Sequence, residues 1–533
     1  MASLNLELVV SVPKGSPLAR DYVDGTPTAR DFFRGHFSRF TAYQEKADEV
    51  DGRFDQAARR RAAAAIRVPP GGDAGRLERW AEEGGFVVTT GQQPGLFGGP
   101  LYSVYKALTT IRLARALEER LGRPVLPLFW VASEDHDWAE ANHTSIIGMD
   151  NELRTPTLDA PDAAVHPALH RIPLGPDLET LRETFLDDLP ASDFSAPYFE
   201  LLRATTRAGS TLPGAFSGIL EGLLGSHGLY FTDAADPALK QASTALLISE
   251  LDRAQEMEGV LDATARRLSD AGYDLQVALM EGGVNLFLEG PAGRERLYRE
   301  DSGYRLHISG EQLNRDDIVA RIENDASLLS PNVLLRPVVE SAVFPTLSYV
   351  AGPGETAYFA QLGDYFDAHG IRMPVVHPRF GATAVEVKIR KVLDKFGLDV
   401  AALDRPFHEI SSEIARDEVP EEVRKAMGAL RGTVAQGVGE LNEAVKGIDP
   451  TLKGPVQHVR SQAFAALEEL EKKVVQALKR ENEIALAQLE KAQLHLFPLG
   501  KPQERVLNPF YYLTRYGGAF LEELLERFSV NPE

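Results

Sequence analysis

Four polar stretches of the 533-residue chain hold the residue types that chemistry needs. The first, TTGQQPGLFGGP (residues 89–100), lies between a short β-rich run and a helical pattern. Gly91, Gly95, Gly98 and Gly99 allow positive φ and close backbone approach. A helix opening behind such a turn presents unpaired N–H groups and a positive dipole end, so this loop is the expected anion cradle. Gln92 and Gln93 supply donors and acceptors, and Tyr102 and Lys106 follow on the helix, where the ammonium is placed to meet a phosphate or carboxylate. The plain alternative is a tight turn beside a solvated lysine. The second stretch, Glu134-Asp135-His136-Asp137, directly follows the apolar run VLPLFWV, with Asn142 and His143 one to two helical turns on. Acids and imidazoles at a buried strand end are costly unless paired or working. His136 is a candidate general acid/base oriented by Asp135 or Asp137, the same groups suit a divalent ion, and an aspartate helix cap is the plain alternative. His136 and His143, seven apart, share a face if the helix starts early.

In the third stretch, Gly352-Pro353-Gly354-Glu355 with Tyr358 again offers backbone N–H groups to an anion. Upstream, Asn332 and Arg336 lie in SPNVLLRP; Arg336 either clamps a substrate carboxylate bidentately or pairs with Glu340. His377 and Arg379 form a fourth polar loop. Gln503, Glu504, Arg505 and the Tyr511–Tyr512 pair are expected to return to the core, the tyrosines as packing.

The elements that position these loops are legible in outline. Residues 85–90 read as a buried strand, 101–121 as a helix ended by Gly122-Arg123-Pro124, and 125–131 as a second strand. This βαβ unit implies a parallel sheet with a right-handed crossover. Residues 228–233 and 346–350 read as further strands, the latter followed by a helix over 355–369 and a strand over 373–376. Loops of this kind leave a parallel sheet at its carboxyl edge, so the first three stretches converge on one crevice if their strands are neighbours. The chain divides into residues 1–70, an arm with helices; 71–380, an α/β core with insertions near 150–225 and 270–330, the second alternating like a small antiparallel sheet; 381–495; and a segment over 496–533. From Ile410 to Val445 apolar residues recur at steps of three or four, except for a step of five at Ile414–Val419 beside Pro420, where a break is expected. With a second amphipathic run to about residue 495, this is an antiparallel helical hairpin of coiled-coil type.

Composition narrows the function. Against 57 Lys and Arg stand 78 Asp and Glu, a formal charge of −21, which argues against nucleic acid as a partner. Hydrophobic residues make up 44%, enough for a large core. With no cysteine there is no disulfide, thiolate zinc site or cysteine nucleophile. The first residues lack the pattern of a secretory signal, and no apolar run approaches the roughly 18 residues of a membrane span. The expected location is the cytoplasm, away from membranes.

TTGQQPGLFGGPLYSVYKA, FWVASEDHDWAEANH, SPNVLLRPVVE with YVAGPGETAYFAQL, and the closing QERVLNPFYYLTRYG resemble, in the same order over nearly the whole chain, the bacillithiol biosynthesis cysteine-adding enzyme family. The resemblance implies a Rossmann-like core with two connecting-peptide insertions and an α-helical coiled-coil domain that promotes a homodimer. It also implies the last step of bacillithiol synthesis, in which cysteine is joined to the amino group of glucosaminyl malate. An amide from a free carboxylate and an amine is uphill in water, so ATP is expected as the activating group, and ATP or ADP is the expected bound nucleotide. Neither HIGH nor KMSKS signatures occur, nor a P-loop. Any metal would need His and carboxylate ligands. Two other readings are a metal-dependent hydrolase built on the EDHD loop, and a non-catalytic nucleotide-binding scaffold recruited through the coiled coil.

Overall fold

Strands that are covered on both faces read as continuous apolar runs, and Phe86–Gln92 (β1) and Val125–Val131 (β2) are of this kind, every residue but Gln92 being buried. The computed structural model describes residues 5–160 and 165–533. Between these strands runs the helix Leu101–Leu121 (α1), stopped by Gly122 in the left-handed conformation at φ 66°. Tyr230–Asp233 (β3) adds beside β2. After the insertion come Thr346–Ala351 (β9) and Val375–Pro378 (β10), which build on the other side of β1. The insertion supplies Gly283–Gly290 (β4), Gly293–Glu300 (β5), Gly303–Leu306 (β6), Gln312–Leu313 (β7) and Leu329–Pro331 (β8), an antiparallel sheet in the order β7-β6-β5-β4-β8.

The parallel sheet has the order β10-β9-β1-β2-β3. The chain moves outward from β1 in one direction through β2 and β3, then returns to build in the other. The reversal falls between β1 and β9, which is the topological switch point where sheets of this type open a crevice at their carboxyl edge. Register along β1 and β2 is unbroken from Phe86↔Val125 to Gln92↔Val131, so the loops after them start at one level.

Leu8–Ala384 and Glu504–Glu533 belong to one compact unit; Val385–Gln503 with Asn5–Glu7 form a second. The N-terminal stretch expected as an arm is therefore not a unit of its own from Leu8 onward. Tyr22 is fully buried and donates to Val376 O at 2.7 Å on β10, which ties the stretch to the sheet. Among the described residues within 150–225 the structure has three α-helices, Asp177–Asp188, Ser195–Thr205 and Leu212–Leu224, while residues 161–164 lie outside the described residues. The single helix expected over 355–369 is two, Pro353–Phe359 (α2) and Gly363–Ala368. The break places the Gln361 amide against Val277, accepting from its N–H at 3.0 Å and donating to its carbonyl at 2.9 Å.

In the second unit, Phe407–Asp417 and Glu421–Lys446 are separated at Pro420, the position of the step of five. Glu421–Lys446 then turns back on Lys453–Glu481, with Val438 and Leu467 buried and Arg431 paired to Glu471 at 2.8 Å. Among the described residues no helix is long and apolar enough to cross a membrane.

Candidate functional site

At the switch point a cavity of about 520 Å³ opens in the first unit. Gly91, Gln92 and Gln93 line it from the end of β1, Glu134 and Asp135 from the end of β2, and Gly352, Gly354 and Glu355 from the end of β9. The three loops thus meet around one space. Tyr102, Lys106, Asn332, Arg336, Tyr358 and Arg379 join them.

The cations from the parallel-sheet side arrive already neutralised. Lys106 is buried on α1 with its ammonium 2.7 Å from Glu355, and also reaches Gly91 O and Gln92 Oε1. Tyr349 donates to the same carboxylate at 2.6 Å and the Gly352 amide at 2.7 Å. Burial alone would raise the Glu355 carboxyl; the Lys106 ammonium and these donors hold it below the ordinary carboxylate value. Arg336 bonds Glu340 at 2.8 Å and the Tyr358 hydroxyl at 3.3 Å, so the ion-pair alternative for Arg336 is the arrangement present, although the residue also faces the cavity. Arg379 makes a bidentate pair with Glu504 at 2.6 and 3.0 Å.

The glycine turn differs from its expected role. Gly95 and Gly99 do not line the cavity. Gly98 packs toward Ile219 and Phe510, and Gly99 toward Phe216. A Cβ on Gly95 would stand 2.8 Å from Gly99 Cα, so the glycines serve a close backbone approach within the turn. Three amides of the turn and helix start are engaged: Gly98 N–H donates to Gly95 O, Gly99 N–H to Leu96 O, and Leu101 N–H to Leu507 O at 2.9 Å. Phe97 sits at φ 49°, a strained conformation for a bulky residue. Asn508 braces the turn by donating to Phe97 O and Gly99 O. Gly95, Gly98 and Gly99 thus face other parts of the protein and not the cavity. The third loop is likewise partly closed, because the Gly352 amide is held by Glu355.

The acidic loop divides its work. Glu134 pairs with buried Lys240 at 2.5 Å. Asp137 caps Trp138–Ala141, accepting from Glu140 N–H at 3.0 Å. Asp135 accepts from the amides of His136 and Asp137 at 2.7 and 3.2 Å, and it alone of the two faces the cavity. The helix is only one turn long and starts at Trp138, so His136 and His143 share no helical face. His143 is exposed and bonds Ala139 O; Asn142 bonds Leu158 O; neither lines the cavity. His377 is buried in β10, bonded to Pro378 O and packed on Phe37, and burial pushes its imidazole down to about 4. With these carboxylates pointing to separate partners, the loop has no converged ligand set; among the described residues no group of three or more His, Asp or Glu could hold a metal ion.

His136 stands behind the cavity wall. Its Nδ1 is 3.1 Å from the Arg294 guanidinium, which can only donate, so this nitrogen is an acceptor and the neutral ring carries its proton on Nε2. Burial and the Arg294 charge lower its titration. The lone pair that a general base needs is therefore engaged. Arg294 and Arg296, on β5, line the cavity with Phe287 and Trp130, and none of the four was anticipated. The signal was present in GRERLYRE, where alternation puts both arginines on one face of a strand, but the sequence does not tell which face meets the site. Arg505 also lines the cavity.

Residues 5–380 match the bacillithiol biosynthesis BshC N-terminal Rossmann-like domain, and residues 382–531 the C-terminal coiled-coil domain of BshC. A protein of Salinibacter ruber named "Putative cysteine ligase BshC" is 35% identical over 450 residues, 84% of this chain and 82% of its own. One of Solibacter usitatus with the same name is 31% identical over 95% of this chain and 94% of its own. A third, of Geobacillus thermodenitrificans, is 30% identical over 97% and 96% respectively.

Proposed function

The chain belongs to the bacillithiol biosynthesis BshC family, and from that premise we propose that it joins the carboxyl group of L-cysteine to the amino group of glucosaminyl malate. The observation that carries this reading is the convergence of three strand-end loops on one cavity where Arg294 and Arg296 have no carboxylate within 4.0 Å among the described residues. Such a space suits small molecules bearing carboxylates in an otherwise acidic protein.

Amide formation here removes one water between a carboxylate and an ammonium group. Asp135 is placed to take a proton from the attacking amine, because it faces the cavity and has no lysine or arginine within 4.0 Å among the described residues. His136 acts as a hydrogen-bonded support for Arg294. The uphill step calls for activation, for which ATP is the proposed co-substrate. No step is assigned to the glycine turn. The reading also includes a cytoplasmic homodimer formed through the helical unit, where Leu430, Leu441 and Leu470 remain nearly half exposed.

The test mixes the full chain, cysteine and glucosaminyl malate with and without ATP and weighs the products. The expected product is heavier than glucosaminyl malate by cysteine minus water, and forms only with ATP. No such product in either arm overturns the reaction; product without ATP overturns the energy source. Light scattering that finds a monomer removes the dimer.

A further inference from the structure

The arginines of the insertion between residues 283 and 331 fall into two sets. Arg299, Arg305, Arg315 and Arg321 each meet a carboxylate: Glu258, Glu300, Asp252 and Glu311. Arg294 and Arg296, the two that line the cavity, have no carboxylate within 4.0 Å among the described residues. The partners of Arg294 are neutral: Nε donates to Ser330 Oγ at 2.9 Å, one terminal nitrogen to Pro331 O at 2.9 Å, the other to His136 Nδ1. Its guanidinium also lies 4.0 Å over the Phe287 ring. Arg296 donates to Val284 O at 3.2 Å. The carboxylates nearest Arg294 in electrostatic terms are Glu134, Asp135 and Glu289. Glu134 is committed to Lys240, and Glu289 to Arg171 at 3.5 Å.

A buried guanidinium without a counter-charge is expensive to desolvate, and the cost is recovered when an anion arrives. Arg294 is 8% exposed, yet it stands at the wall of an open cavity. Its fixed planar fork has donors left over after three neutral bonds. Arg296 follows two residues on along the same strand face, about 6.6 Å away by strand rise. Two positive centres at that spacing match two anionic groups on one small molecule better than a single one. Glu295 between them points to the other face and is satisfied by the amides of Ala292, Ile308 and Ser309.

We propose that Arg294 and Arg296 form the seat for a dicarboxylate group of the substrate, and so decide which amine acceptor the cavity takes. This rests on the reading of the acceptor as a malyl-bearing amino sugar. On this assignment the charges of Lys106, Arg336 and Arg379 are met by their own carboxylates, while β5 supplies buried unspent charge and the exposed Arg505 adds a further guanidinium to the lining. A dicarboxylate matches two separate guanidinium groups on one strand face, and a polyphosphate is the competing ligand that the test includes.

The experiment titrates L-malate, its monomethyl ester and ATP separately into the full-length protein by calorimetry, for the wild type, Arg294→Gln, Arg296→Gln and Arg294→Lys. The wild type should bind L-malate at least tenfold more tightly than the monoester. Arg294→Gln and Arg296→Gln should each lose at least tenfold in malate affinity and most of that preference, and Arg294→Lys should recover part of the affinity. Thermal melts identify any variant that does not fold; Arg296→Gln, at a half-buried side chain, then carries the test. Unchanged malate affinity in the glutamine variants, no malate binding by the wild type, or a loss seen with ATP and not with malate overturns the proposal. Malate binding that depends on both arginines in a protein that never couples cysteine keeps the seat and removes the reaction.

Discussion

The two walls of the cavity solve opposite problems. On the parallel-sheet wall, Lys106, Arg336 and Arg379 each face a carboxylate of the same chain, Glu355, Glu340 and Glu504. On the β5 wall, Arg294 and Arg296 face carbonyl, hydroxyl and imidazole groups. A closed pair is a structural element, because removing one partner strands the other charge in a poor solvent. An open guanidinium is held in place at a cost that an incoming anion offsets. Positive charge around a cavity is thus no measure of its appetite for anions; the unspent fraction is.

The sharpest way to break this contrast is Lys106→Met. It leaves Glu355 without its ammonium in a buried place, so unfolding free energy should fall by about 3 kcal/mol or more, read from urea denaturation. A loss below about 1 kcal/mol would mean the pair is not a structural one. Arg294→Gln should behave differently: stability changes by about 1 kcal/mol or less, since neutral hydrogen bonds are lost while a buried charge is relieved. A loss as large as that of Lys106→Met would erase the difference between the walls.

The same Arg294→Gln variant sharpens the picture at His136. Burial and the guanidinium both depress the imidazole, so it is neutral at pH 7 in the wild type. Removing the guanidinium leaves burial and His166, opposed by Asp135 and Asp137, so the titration of the ring protons, followed by NMR, should move up toward the ordinary histidine value. A downward move or no change would show that Arg294 does not set the state of the ring. The smallest effect belongs to His143→Ala, outside both walls and exposed. Stability should shift by less than about 0.5 kcal/mol with coupling unchanged, and a large loss of activity would return His143 to the site.

The frame was readable where local pattern and tertiary demand agree. The helix Leu101–Leu121 and strand Val125–Val131 have the ends expected of them, because Gly122 and Pro124 punctuate them and both elements are buried apolar runs. The break at Pro420 was readable from a single irregular step. What resisted reading was partnership across long separations: Lys106 finds Glu355 249 residues on, and Arg379 finds Glu504 125 residues on. The turn from Gly91 to Pro100 has the composition of an anion loop, but Ile219, Phe216, Phe510 and Asn508, all remote in sequence, claim its space and its carbonyls. His136 and His143 share a face only if the helix starts early, because seven residues span two turns only inside a helix, and here the helix begins between them.

The brace on Phe97 has a consequence for how the protein is made. Asn508 lies 411 residues beyond the carbonyl it holds, so a growing polypeptide emerges from the ribosome with this turn unsupported for most of the time synthesis takes. At roughly 5–20 residues per second that interval is about 20 to 80 s. During it the half-built domain must avoid collapse onto wrong neighbours, or rely on chaperones for cover.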